Sequence, residues 1–220
     1  MNEKRQMSDT IQIGIVLAIV GGFLDAYTYL CRGHVFANAQ TGNIVLFGIQ
    51  LMNQNFLQAL YYLLPIIAFL VGILISEMIK HHFRNHPKIH WRQIILCIEL
   101  LVLCIIIFIP QNYNMICNIM ISFVCSLQVE SFRKFHGVPY ASTMCTGNLR
   151  SATENLYLYF HTKDKKTLIR SLEYYMIILF FILGACLGVF FTNQFVIKAL
   201  FIPVLLLIVV TVFMFIEQVG

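Results

Sequence analysis

The chain has 220 residues, 59% of them hydrophobic and only 11% charged, with a formal net charge of +5 and a mean hydropathy of +0.79. A soluble domain is about a quarter charged, so this composition excludes a water-covered globule and points to an integral membrane protein. The basic residues fall in short loops between apolar runs, where they fix topology rather than bind nucleic acid.

A bilayer core about 30 Å thick needs about 20 apolar residues in a helix, and in lipid only helices satisfy such a backbone internally. Lys4 and Arg5 precede an apolar run and mimic a signal peptide, but no small-x-small cleavage site follows. An uncleaved first span is therefore expected over 11–30, with Gly14, Gly21 and Gly22 suited to close helix packing. Arg32-Gly33-His34 ends it. The next stretch, 35–52, is apolar but interrupted by Asn38, Gln40, Thr41, Asn43 and Gln50, too polar for a lipid-facing span. Spans follow at 59–79 and 94–109, separated by a loop holding Lys80, Arg84, Lys88 and Arg92.

The second half repeats this order: a span over 115–132, an interrupted segment over 139–160, a basic loop, then spans over 172–191 and 197–216. Asp25 and Glu130 stand 105 residues apart, as do Thr41-Gly42-Asn43 and Thr146-Gly147-Asn148. Gly72-x-x-x-Ser76 and Gly184-x-x-x-Gly188 correspond at an offset of 112, the second basic loop being longer.

If the two interrupted segments do not cross, six spans remain, three per half. The basic loops then share one side with Lys4 and Arg5, leaving only Arg32 and Lys198 on the other. Three is odd, so the halves must insert in opposite orientations. The expected fold is all-α: six transmembrane helices as two inverted three-helix repeats, residues 1–110 and 111–220 of one membrane domain. Each repeat carries a broken or re-entrant Thr-Gly-Asn segment, the architecture of many secondary transporters.

The candidate binding residues are the two acids and the two triplets: Asp25, Thr41, Gly42, Asn43, Glu130, Thr146, Gly147 and Asn148. A carboxylate in an apolar helix is costly unless paired, and marks a solute or proton path by default. The alternative is structural, with Thr41 and Thr146 as helix N-caps and the acids accepting backbone N–H bonds at those helix starts. Arg133 and Lys134, at i+3 and i+4 from Glu130, can neutralise it within its helix; Asp25 has no such neighbour. Glu99 sits mid-span without a cation in helical reach, a further ion-site candidate unless it bonds a neighbouring helix. Tyr27, Asn38, Gln40 and Arg133 are candidates to line a cavity. Glu77 and Lys80 read as an interfacial ion pair.

His81, His82, His86 and His90 crowd one loop, but Pro87 interrupts any helix that would align them, so a solvated or headgroup-facing loop is expected and no metal site. Seven cysteines form no C-x-x-C pair and lie mostly in apolar runs, as small hydrophobes. No catalytic motif or phosphate-binding loop is present, so neither an enzyme nor a cofactor is expected.

At Gly21-Gly22-Phe23-Leu24-Asp25-Ala26 and Thr41-Gly42-Asn43, echoed by Gln128-x-Glu130 and Thr146-Gly147-Asn148, the chain resembles the YoaK family of uncharacterised bacterial multi-pass membrane proteins over nearly its whole length. The resemblance implies a bacterial plasma (inner) membrane location and supplies no substrate or reaction. It also implies that a carboxylate at position 130 departs from the family, which often has a small or amide residue there.

The expectation is a small secondary transporter of an unidentified solute, with protons as coupling ions and both termini cytoplasmic. The alternative is a non-transporting scaffold or accessory protein whose buried acids clamp helices. The partners expected are the bilayer and a small solute or proton. Gly184-x-x-x-Gly188 suits either a homodimer face or internal packing.

Overall fold

The computed structural model describes residues 11–84, 90–135, 138–139 and 143–219. Lys4, Arg5, His86, Pro87 and Lys88 lie outside them. Among the described residues are eight α-helices: α1 (Ile11–Cys31), α2 (Gln40–Met52), α3 (Phe56–Phe83), α4 (Trp91–Ile106), α5 (Asn114–Ser131), α6 (Cys145–Thr162), α7 (Lys165–Phe195) and α8 (Phe201–Val219). Lys134–Phe135 and Val138–Pro139 form a two-residue antiparallel ladder between α5 and α6.

Three stretches are long and apolar enough to cross a membrane: Ile11–Cys31, Phe56–Phe83 and Lys165–Ile216, the last taking in α7 and most of α8. Helices α4 and α5 are shorter, at 16 and 18 residues. Leu57, Leu74, Leu101, Leu179, Leu205 and Val212 are exposed on the outer faces, as lipid-facing positions should be.

The helices pair through small residues, because without a hydrophobic drive in lipid the association rests on close packing. Helix α1 packs against α7, with Gly184 on the backbone of Ile19 and Gly188 on that of Phe23. A Cβ at Gly22 would overlap Phe181 O. The paired positions rise together, so α1 and α7 run parallel. Helix α3 packs against α5 in the same manner: Gly72 meets Phe123 and Ser126, and Ser76 Oγ lies 3.1 Å from Ser131 Oγ. Gln128 Nε2 donates to Leu17 O at 3.3 Å, placing the end of α5 beside the early part of α1, so these two are antiparallel. Helix α2 folds back on α3, and α6 on α7.

Both glycines of Gly184-x-x-x-Gly188 are buried against α1. That stretch is an internal crossing.

Candidate functional site

The chain leaves α1 at Cys31 and doubles back along it. Asn38 Nδ2 donates to Gly21 O at 3.2 Å, and Asn38 N donates to Asp25 Oδ1 at 2.6 Å. Gly21 lies about 15 Å below the Cys31 end at 1.5 Å per residue, so α2 begins about halfway along α1. The second interrupted segment reaches the same level: Thr143, two residues before α6, packs against Gly21. The two helix starts thus meet beside the middle of α1.

A cavity of about 550 Å³ lies between them. Its polar lining is Asp25, Asn38, Gln40, Thr41, Thr143 and Thr146, and its walls include Tyr29, Phe36, Phe69 and Phe181. This size and mostly apolar character suit a small-molecule pocket. Asp25 is 7% exposed.

Each residue of the first triplet has a separate task. Thr41 lines the cavity. At Gly42 a Cβ would press on the Phe36 ring, 2.9 Å from its Cδ2. Asn43, fully buried, clips the Phe36 backbone from both sides: Phe36 N donates to Asn43 Oδ1 at 3.0 Å, and Asn43 Nδ2 donates to Phe36 O at 2.8 Å. Phe36 is thereby fixed as a wall, stacked on Tyr29 with ring centroids 4.9 Å apart. Gln40 Nε2 donates to Ser122 Oγ at 2.7 Å, tying the start of α2 to α5. In the second triplet Thr146 and Gly147 line the cavity and Asn148 is buried.

The threonines are not N-caps. Those positions are Ala39 and Met144, neither with a side-chain cap bond, and each Thr is the second residue of its helix. Asp25, from α1, accepts the N–H of Asn38, two residues before α2, and so fixes the approach to that helix rather than capping it.

Glu130 does not join Asp25. It is held by Arg133 Nη1 at 2.7 Å at the far end of α5, where it also meets Glu77 of α3, and neither Glu130 nor Arg133 lines the cavity. Tyr27 also lies elsewhere, buried, with its hydroxyl donating to Ile197 O at 3.4 Å. Glu99 is fully buried on α4, away from the cavity, with no hydrogen-bond partner for either oxygen among the described residues. Glu77 accepts from Lys80 Nζ at 2.6 Å as an ion pair.

Arg32 is the residue the sequence did not single out as a centre. It is fully buried, with Nε donating to Tyr27 Oη at 3.0 Å, Nη1 to Ile109 O at 3.1 Å and to Asn114 Oδ1 at 3.3 Å, and Nη2 to Ile106 O at 3.4 Å. A guanidinium on the last carbonyls of α4 answers that helix's negative end and joins α1, α4 and α5. The available signal was its place, a lone arginine on the side otherwise poor in basic residues. Phe36, Phe69 and Thr143 carried no such signal.

Among known proteins, the family described as "Protein of unknown function (DUF1275)" matches residues 13–213. The "UPF0700 transmembrane protein YoaK" of Bacillus subtilis (strain 168) is 28% identical over 166 residues, covering 70% of this chain and 71% of that protein. No solved structure matches.

Proposed function

The chain belongs to the DUF1275 family of membrane proteins of uncharacterised function, and we propose that it is a small secondary transporter of a small solute, coupled to protons, rather than an enzyme. The observation that carries this reading is the meeting of Asp25 and both Thr-Gly-Asn helix starts at one cavity, halfway along α1. A solute site formed by broken helices at a repeat interface is what alternating access needs.

The helix pairing supports inverted repeats. Exchanging α1 with α5 and α3 with α7 turns the α1–α7 pair into the α5–α3 pair, and the α2–α3 hairpin into the α6–α7 hairpin. The antiparallel run of α1 and α5 supports opposite orientations of the halves. In this reading α1, α3, α4, α5, α7 and α8 cross the bacterial plasma membrane, while α2 and α6 are re-entrant. Lys80, Arg84, Arg92, Arg133, Lys163, Lys165, Lys166 and Arg170 gather at the end where α1 begins, which supports cytoplasmic termini.

Proteoliposomes carrying the wild-type chain should accumulate a solute under an imposed proton gradient. Asp25→Asn should lower that uptake at least tenfold; unchanged uptake by a folded Asp25→Asn protein at every pH would remove its coupling role.

One observation favours a second reading. The Asn38 N–H bond to Asp25 makes this acid a clamp for the start of α2, as a non-transporting scaffold would use it. In that case Asp25→Asn would lower thermal stability in detergent and no solute would raise it.

A further inference from the structure

We propose that Glu99, halfway along α4, is a proton-binding site: it holds a proton while the apolar face around it is closed and releases it when that face opens to water. The proposal rests on the transporter reading for its purpose, since it names a residue to carry a coupled proton. The site itself stands on the geometry of α4.

Position comes first. Glu99 lies in the middle of the helix Trp91–Ile106, so about 10–12 Å of helix separates it from either end. Leu96 and Leu103, at i−3 and i+4 on the same face, are fully buried, as Glu99 is. They belong to one apolar core with Ile121, Val124 and Cys125 of α5 and Leu207 of α8. In the six-span reading this is the depth at which an ionised carboxylate costs most.

Partners come second. Neither Glu99 oxygen has a donor among the described residues, whereas Asp25 takes the Asn38 N–H, Glu77 takes Lys80 and Glu130 takes Arg133. The arginines at the two ends of α4 are engaged there: Arg92 Nε donates to Ser131 O at 2.9 Å, and Arg32 bonds the carbonyls of Ile106 and Ile109. Of the helices packed against α4, α5 brings Cys125 to the same core. Helix α3 carries Glu77, Lys80, His81 and His82 near its end, and the described side chains of α8 include no ionisable group. A carboxylate buried without a donor costs far more than a carboxylic acid, so Glu99 sits here with its proton on. Structure does not require it, because an apolar side chain of similar shape would fill the position at no greater cost. The exchange is balanced: the acid O–H bond breaks when water reaches it, the proton passing to water, and reforms when a proton returns before the face closes.

Infrared spectroscopy reads the site with the proton itself as probe. Purified protein at neutral pH should show a carboxylic-acid carbonyl band that Glu99→Gln lacks. That band should shift after overnight equilibration in heavy water, because the site must open to exchange. The native protein holds a proton that the unfolded chain gives up above about pH 4.3. The wild-type unfolding midpoint in detergent should therefore fall relative to that of Glu99→Gln as the pH rises from about 5 to about 8. Glu99→Asp serves where Glu99→Gln fails to fold: the shorter acid should move the band to another frequency. The proposal is overturned if the difference spectrum holds no acid band, if the band does not exchange, if Glu99→Asp leaves it unmoved, or if pH leaves the two midpoints parallel. An exchanging band in a protein whose proteoliposomes take up no solute would sink transport and leave the proton site standing; uptake without an exchanging band would do the reverse.

Discussion

At the scale of single residues, the first of the conspicuous triplets turns out to be a wall-building device. Asn43 is the residue that sequence reasoning placed in a binding site and that the fold uses to hold Phe36. Removing its amide leaves a partly buried N–H and C=O of Phe36 unpaired, at about 1 kcal/mol or more. Asn43→Ala should accordingly lower the unfolding midpoint in detergent, and Asn43→Asp, which turns the donor facing Phe36 O and Gln40 Oε1 into a buried carboxylate oxygen, should lower it at least as much. Equal midpoints for Asn43→Ala and wild type would show that the clip contributes nothing. Glu99 and Glu130 carry a related lesson. Both are acids on apolar helices, yet one is sealed without a partner and the other is tied by its own i+3 arginine; helical spacing revealed only the second.

At the scale of elements, small residues decide which helices touch. The α1–α7 crossing is close because Gly22, Gly184 and Gly188 present no side chain where backbones meet. Gly22→Val should therefore prevent recovery of monodisperse protein on size exclusion, since its Cβ has only the α7 backbone to displace. Gly48, on the open face of α2, has nothing within 4 Å of an added Cβ. Gly48→Ala should be tolerated and should stabilise by about 0.5–1 kcal/mol through helix propensity, read as a raised midpoint in the same assay. If both substitutions behave alike, contact across the crossing is not what makes the glycine necessary.

At the scale of the whole molecule, the six-span reading fixes where each loop emerges. In a background with the exposed native cysteines replaced, Asn53→Cys and Asn112→Cys should react with a membrane-impermeant thiol reagent from outside intact cells. His81→Cys and Lys163→Cys should react only after the membrane is opened. Were α2 to cross, Asn53→Cys and His81→Cys would exchange sides, because α3 would run the other way.

The sequence by itself determined membrane residence, the helical class and the position of nearly every helix, because composition and apolar run length act locally and lipid permits few alternatives. It also located Asp25, Thr41 and Thr146 at one place, through a repeat visible as a constant offset. The pairing of α1 with α7 and the burial of Arg32 were decided only by the tertiary structure, since both depend on residues far apart in the chain. So was the separation of Glu130 from Asp25: the two acids stand at one offset in the sequence, but Glu130 pairs with Arg133 at the end of α5 and does not line the cavity that Asp25 lines.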